Sequence, residues 1–202
     1  MSLRDQHLRV SDVVSLALNP SVMTGVFLCV LAATYEQSGI PRVAHQLLCI
    51  AFTSLVPIGL IFLLKSRGKL SDFDMSIRSE RDRVYLLCDA GYTAGAALLF
   101  LSGSAWPVWG FVALHVPNTL ILLAFNRLLK VSIHTMVLSS LYVGALEFYG
   151  LQTVPLGFLV AAAAWARWDA GNHSFAERIC GVSMVTVLTS LELQGLKTAF
   201  GG

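Results

Sequence analysis

The chain is divided into seven apolar runs separated by short polar segments. The runs are continuous blocks rather than stripes at helical or strand spacing, which is typical of helices that cross a membrane. A crossing helix needs about 20 such residues, with about 17 at the lower end. The pattern predicts an all-α, polytopic transmembrane helix bundle of about six to seven membrane segments. The predicted segments are 21–35, 44–64, 84–101, 106–128, 133–149, 154–168 and 179–196.

Two connections are short enough to be tight turns, at residues 103–107 and 150–155, and each is expected to join its neighbours as a hairpin. There is no low-complexity tract and no internal repeat, so residues 1–202 are predicted to form a single integral membrane domain. Its start is too polar for a cleavable signal. Residues 1–20 are therefore expected to form an interfacial N-terminal segment, with 10–18 lying along the membrane surface.

Composition agrees with a membrane location. Apolar residues make up 55% of the chain and charged residues 13%, whereas a soluble domain carries about 25% charged residues. The four cysteines fall in four different apolar runs and lack the Cys/His spacing of a zinc site. We expect buried, unpaired cysteines, and neither a metal nor another cofactor.

Three polar junctions interrupt the apolar runs, at residues 65–83, 126–135 and 166–177. Two predicted segments separate each junction from the next, and an even number of crossings returns the chain to the same side. Dispersed polar residues can therefore converge on one face. Twelve of the 14 lysines and arginines fall on that face. The positive-inside rule then predicts a multi-pass protein whose junctions, and any active site they form, lie at the cytoplasmic face.

The residues in these junctions fit phosphoryl chemistry. Arginine forks match phosphate oxygens bidentately, and lysine adds a point charge. His173 and Glu177 lie four apart, on one face if the segment is helical. In the predicted scheme His173 attacks phosphorus, Glu177 orients it, and His134 protonates the leaving oxygen. Surrounding arginines neutralise the transition state, and no metal is required.

The order of the junctions resembles the three-part signature of the type 2 phosphatidic acid phosphatase superfamily, to which the vanadium haloperoxidases are related. Residues 166–177, ARWDAGNHSFAE, are similar to the third motif S-R-x5-H-x3-D, with alanine and glutamate replacing serine and aspartate. Ser132 and His134 are similar to the second motif P-S-G-H, without its proline and glycine. The first motif, K-x6-R-P, is replaced by Lys69 followed by Arg78 and Arg81, as in a divergent branch.

The resemblance covers residues 65–177 and implies a membrane lipid phosphate phosphatase. It implies that His173 is the nucleophile, His134 the general acid and Glu177 the partner of His173. The implied phosphate-binding residues are Lys69, Arg78, Arg81, Ser132 and Arg167. The expected partners are the bilayer and a lipid phosphate (phosphatidate, phosphatidylglycerophosphate or a polyprenyl phosphate or diphosphate), with no nucleic acid. The oligomeric state is open. Two alternatives stay open: a membrane phosphotransferase using the same histidine, and a catalytically silent protein that binds anionic lipid.

A few polar residues lie inside the predicted segments. Asp89 is a candidate either for a functional residue or for one partner of an ion pair, since carboxylates inside a membrane usually have one of these roles. His115 and Asn118 flank Pro117, and we expect them to make interhelical hydrogen bonds. His45, Glu147 and Glu192 lie towards the face opposite the junctions and are expected to be solvated.

Overall fold

The protein is all-helical in the part that the computed structural model describes, which comprises residues 9–73, 77–126, 131–169 and 175–201. Side chains are described in these ranges except at positions 78, 126, 175–178 and 180. The predicted all-α class is confirmed. The helices are α1 Val10–Ala17, α2 Pro20–Tyr35, α3 Ile40–Ile50, α4 Val56–Ser66, α5 Arg78–Leu101, α6 Trp106–Ala113, α7 His115–Asn126, α8 Ile133–Tyr149, α9 Gly157–Asp169 and α10 Phe175–Phe200, with a π-helical turn at Ala51–Leu55 and a 3-10 segment at Leu151–Leu156.

Four helical stretches within the described residues are long and apolar enough to cross a membrane. They are Val10–Tyr35, Ile40–Ser66, Ser79–Leu101 and Trp106–Phe125. The second stretch joins α3 and α4 through the π-helical turn, and the fourth joins α6 and α7. These apolar helices indicate a membrane protein.

Helix bounds follow the hydropathy pattern closely where polar residues stop the helix. Helix α8 covers the predicted 133–149, and α2 begins at Pro20, capped by Asn19, whose side chain accepts from the backbone N–H groups of Ser21 (3.0 Å) and Val22 (3.3 Å). Helix α5 instead begins at Arg78, six residues before the apolar run that predicted it. Arginine and glutamate are good helix formers, so the helix continues beyond its apolar part.

The largest apolar core lies between α2, α6, α8 and α10, around the fully buried side chains of Leu28, Phe111 and Leu193. Close approach is secured by glycine. A Cβ atom at Gly144 would lie 2.4 Å from the ring of Phe111, and one at Gly95 would lie 2.6 Å from Cβ of Phe52. The helices could not pack this closely with a larger residue at either position.

Two helices are irregular in mid-course, and proline accounts for both irregularities. The π-helical turn Ala51–Leu55 ends two residues before Pro57, and the break between α6 and α7 at Leu114 lies three residues before Pro117. Proline has no N–H to donate to the carbonyl four residues earlier, which bends or interrupts a helix. The α6–α7 break therefore leaves the backbone carbonyl of Ala113 without its helical partner.

Candidate active site

The first and second junctions meet at Arg81. This side chain is only 4% exposed, and its Nη1 donates to the backbone carbonyl of Val131, 3.5 Å away. Arg81 faces inward because it begins the stripe of α5 that continues through the buried Tyr85 and Cys88. Arg81 also hydrogen-bonds the buried side chain of Tyr85, one turn further along α5. Its guanidinium places a positive charge beside the second junction, and this charge makes the contact a candidate anion site.

Ser132 lies beside this contact and is completely buried. It is the N-cap residue of α8, and its backbone carbonyl accepts from the N–H of Met136 at 3.1 Å and from the hydroxyl of Thr135 at 2.9 Å. Its own hydroxyl has no hydrogen-bond partner in the described part of the chain. Buried polar atoms are nearly always paired, so an unpartnered hydroxyl here is a group with capacity for a ligand.

The third junction is brought to the second by a glycine contact. A Cβ atom at Gly181, near the start of α10, would lie 2.5 Å from Cγ1 of Val131 and 3.3 Å from Cγ of Met136. On the other side of this junction, Arg167 is 6% exposed in the last turn of α9, where Ala163 and Ala166 are also buried. The starts of α5, α8 and α10 therefore lie at one end of the bundle.

The N-terminal helix is tied to the same end. Ser11 donates its hydroxyl to the carboxylate of Asp169 at 2.6 Å, and Nη1 of Arg9 lies 3.4 Å from the Asp169 carbonyl. Asp169 ends α9, so α1 is held against the start of the third junction. The segment expected along the membrane surface before Pro20 is helical over Val10–Ala17, and its position at that surface stays a prediction.

Lys69 lies on a different side of α5 from Arg81. It is exposed and lines an open groove of about 700 Å³ together with Glu80 and Arg83. Glu80 fixes the loop that carries Lys69, because its carboxylate accepts from the backbone N–H and the hydroxyl of Ser71, each at 3.0 Å. Among the described side chains of the first junction that were predicted to bind phosphate, Arg81 contacts the described part of the second junction and Lys69 lines this groove instead.

The remaining predicted site residues are described only in part. His134 is half-buried in the first turn of α8, two residues after Ser132. Arg78 begins α5 and Glu177 lies in the first turn of α10, but the side chains of both are outside the described part. His173 lies outside the described residues altogether. The convergence of His134 with His173 therefore stays a prediction.

At the other end of the bundle lies a polar cluster that the sequence did not reveal. The expectation that His45 is solvated is wrong: its side chain is buried, and Nδ1 lies 3.0 Å from Oε1 of Glu36. The distance is that of an ion pair, although the ring N–H is not aligned as a hydrogen bond. Glu36 also accepts from the Ser104 hydroxyl and, at 2.9 Å, from the Ala105 N–H.

This cluster joins the ends of four helices. Glu36 follows α2, His45 lies on α3, and Ser102 and Ser104 lie in the turn between α5 and α6. Nε2 of His45 lies 3.1 Å from the hydroxyl of Ser102, which itself donates to the carbonyl of Leu99 at 2.9 Å. A sequence signal existed, because Glu36 and His45 flank a short polar turn, but their partners are more than 50 residues away.

In the described residues, no three His, Cys, Asp or Glu side chains are grouped closely enough to hold a metal ion. Comparison with protein families, with curated proteins and with solved structures gave no match to this chain.

Proposed function

We propose that the protein is an integral membrane lipid phosphate phosphatase. It would hydrolyse a phosphomonoester or a pyrophosphate of a membrane lipid through a phosphohistidine intermediate. The observation that carries the proposal is the contact of the buried Arg81 with the carbonyl of Val131, next to the unpartnered hydroxyl of Ser132. This contact supports the proposal because it brings a cation of the first motif next to the second motif.

Arg81, Ser132 and Arg167 supply complementary interactions with a phosphate. The guanidinium groups neutralise the equatorial oxygens and hold them by directed hydrogen bonds. The Ser132 hydroxyl, at the N-terminus of α8, adds a donor where a helix favours negative charge. Their burial keeps water from weakening these interactions.

The catalytic steps use the two histidines of the second and third motifs. The imidazole of His173 attacks phosphorus, the bond to the lipid oxygen breaks, and that oxygen takes a proton from His134. A water molecule, activated by the neutral His134, then attacks the phosphohistidine. The P–N bond breaks, inorganic phosphate leaves, and His173 is regenerated. Glu177 holds the orientation of His173 throughout.

A lipid substrate fits the surface at the first junction. The groove that contains Lys69 and Arg83 is also lined by Leu86 and Leu87, both exposed on α5. Cations at a membrane surface attract an anionic head group, and exposed leucines on the same helix suit its hydrocarbon chain. Glu80 and Asp82 lie in the same groove and balance the formal charge of these two cations.

The proposed active site requires α8, α9 and α10 to share the bilayer with the four long apolar stretches. Helix α8 is mostly buried, and its Ser140 accepts from the hydroxyl of Thr189 on α10 at 3.1 Å. With these helices counted, the chain would make six to seven crossings. The basic residues cluster at the end that holds the site, and the positive-inside rule assigns that end to the cytoplasm.

The test is release of inorganic phosphate by the purified protein from lipid phosphates in mixed micelles, without added metal. We expect His173→Ala to reduce release by at least about 100-fold, because nucleophilic and acid–base groups contribute about 10² to 10⁴ in rate. His7→Ala is the matched control, since this histidine belongs to none of the three motifs.

Three outcomes would contradict the proposal. Equal release by the His173→Ala variant and the unchanged protein would exclude the phosphohistidine route. Transfer of phosphate to an added alcohol at the expense of free phosphate would assign the same histidine to a phosphotransferase. Binding of lipid phosphate without turnover would leave the catalytically silent alternative.

A further inference from the structure

Two small cavities lie inside the bundle, away from the proposed phosphate site. Their volumes are about 50 and 60 Å³. They adjoin, because both are lined by Tyr92, His115 and Thr119. This volume holds a few water molecules or one small ion, whereas organic ligands need pockets of about 300 Å³ or more. The first cavity adds Asn118 and Ser140 to its walls.

A broken helix borders both cavities. Helix α6 ends at Ala113, α7 begins at His115, and Pro117 follows within one turn. His115, the first residue of α7 after this break, lines both cavities. Interrupted helices whose free carbonyls border a cavity are the elements with which membrane proteins bind small cations.

Glu192 and Asp89 lie next to side chains that line the cavities, and neither carboxylate pairs with a lysine or arginine in the described part of the chain. Glu192 on α10 accepts from Nδ2 of Asn118 at 3.2 Å. Asp89 on α5 is close to Thr119, but neither of its carboxylate oxygens accepts a hydrogen bond of regular geometry in the described part of the chain. No lysine or arginine is among the described residues that line the cavities. Negative charge inside a bilayer needs a compensating cation or a proton.

The cavity also has an acceptor without a donor. Asn118 is 8% exposed, and its Nδ2 donates to Glu192 and, at 3.4 Å, to the hydroxyl of Thr189. The carboxylate fixes the orientation of the amide, so Oδ1 points away from both partners and has no donor in the described part. Nδ1 of His115 lies 3.0 Å from the backbone carbonyl of Phe111. This nitrogen is therefore engaged and does not donate to Oδ1 of Asn118.

We propose that these cavities form a binding site for a small monovalent cation within the membrane. Its ligands would be oxygen atoms of Asn118, Thr119 and Ser140, and Glu192 and Asp89 would balance the charge. Oxygen ligands suit hard cations such as Na⁺, and carboxylates at this depth serve a proton equally well. The site goes beyond the proposed phosphatase activity and does not depend on it.

Thermal unfolding of the purified full chain in detergent tests the proposal. Midpoints are compared in NaCl, KCl and choline chloride at equal ionic strength, and then in choline chloride from about pH 6 to about pH 8. We expect Na⁺ to raise the midpoint by about 5 °C over choline, with saturation, because a ligand that binds only the folded state stabilises it. The titratable groups facing the cavities, or next to those that do, are Tyr85, Cys88, Asp89 and Tyr92 on α5, His115 on α7 and Glu192 on α10.

Glu192→Gln should abolish the cation-dependent shift, because it removes the charge and keeps the shape. Glu147→Gln is the matched control, since Glu147 pairs with Lys197 at the surface (2.7 Å) and the same chemical change there should leave the shift intact. If Glu192→Gln does not fold, Ser140→Ala removes one cavity oxygen without a change of charge and should raise the half-saturating Na⁺ concentration by about tenfold.

The salt series and the pH series distinguish Na⁺ from a proton as the bound cation. A Na⁺-specific shift assigns the site to sodium. A midpoint that ignores Na⁺ but rises as the pH falls, and that loses this dependence in Glu192→Gln, assigns it to a proton. Equal midpoints in all three salts, with a pH dependence shared by the Glu192→Gln protein, would overturn the proposal and leave cavities that hold only water.

Discussion

The two ends of the helix bundle use buried polar residues in opposite ways. At the end formed by Glu36, His45 and the α5–α6 turn, one carboxylate oxygen meets a hydroxyl, a backbone N–H and an imidazole. At the junction end, the buried Arg81 touches a backbone carbonyl, and the adjacent Ser132 hydroxyl has no described partner. The Glu36 carboxylate of the first set has several partners within the protein, whereas the Ser132 hydroxyl of the second retains capacity for a ligand.

The comparison shows why residue types alone are a poor guide to catalysis. Ser102, His45 and Glu36 have the composition of a serine hydrolase triad and nearly its distances. However, the Ser102 hydroxyl donates to Leu99 rather than to His45. The N–H groups of the same turn are also engaged, that of Ser104 with the Leu99 carbonyl and that of Ala105 with Glu36, so none of these is left to stabilise an oxyanion. This cluster fastens helix ends together.

The largest expected effect on stability comes from removing the carboxylate of Glu36, which holds the polar cluster at the α5–α6 turn. We expect Glu36→Ala to lower the free energy of unfolding by about 3 to 5 kcal/mol, because it leaves the buried His45 and the Ala105 N–H without their partner. Thermal unfolding in detergent measures this. Glu147→Ala removes a surface carboxylate and should leave the midpoint unchanged. Equal midpoints for the two variants would show that the cluster is not a fastening.

A smaller effect is expected where the second and third junctions touch. Gly181→Ala places a Cβ atom 2.5 Å from Val131 and should destabilise the protein by about 1 to 3 kcal/mol. It should also lower phosphate release, because Val131 is the contact of Arg81.

Gly195→Ala is the matched control for this change. It lies in the same helix, and a Cβ atom there meets nothing within 4 Å. Alanine favours helix over glycine, so this variant should be as stable as the unchanged protein or slightly more stable. Equal phosphate release from both glycine variants would show that the junction contact does not position the site.

Ser132→Ala is expected to change stability least, and it tests most directly how the two ends of the bundle differ. We expect Ser132→Ala to leave the free energy of unfolding unchanged or to raise it by about 1 kcal/mol, because it removes a buried hydroxyl that has no described partner. The same variant should lower phosphate release by about tenfold. A clear loss of stability together with unchanged release would assign Ser132 a structural role.

The helical class, the membrane character and most helix bounds follow from hydropathy along the chain. Hydropathy depends on local composition, so a block of apolar residues predicts a helix whatever its neighbours are. Helix α8 has its predicted bounds for this reason. The order of the junctions also indicated that their residues share one end of the bundle. The contact of Arg81 with Val131 joins the first junction to the second, and convergence with the third stays a prediction.

Which polar residues are buried, and which partners they have, depends on the tertiary structure. His45 was expected in water, yet it is buried because Glu36 and the distant Ser102 surround it. Lys69 and Arg81 belong to one motif, but the turn of α5 sends them to different sides. The fate of a polar side chain depends on partners that are far away along the chain, and hydropathy carries no information about them.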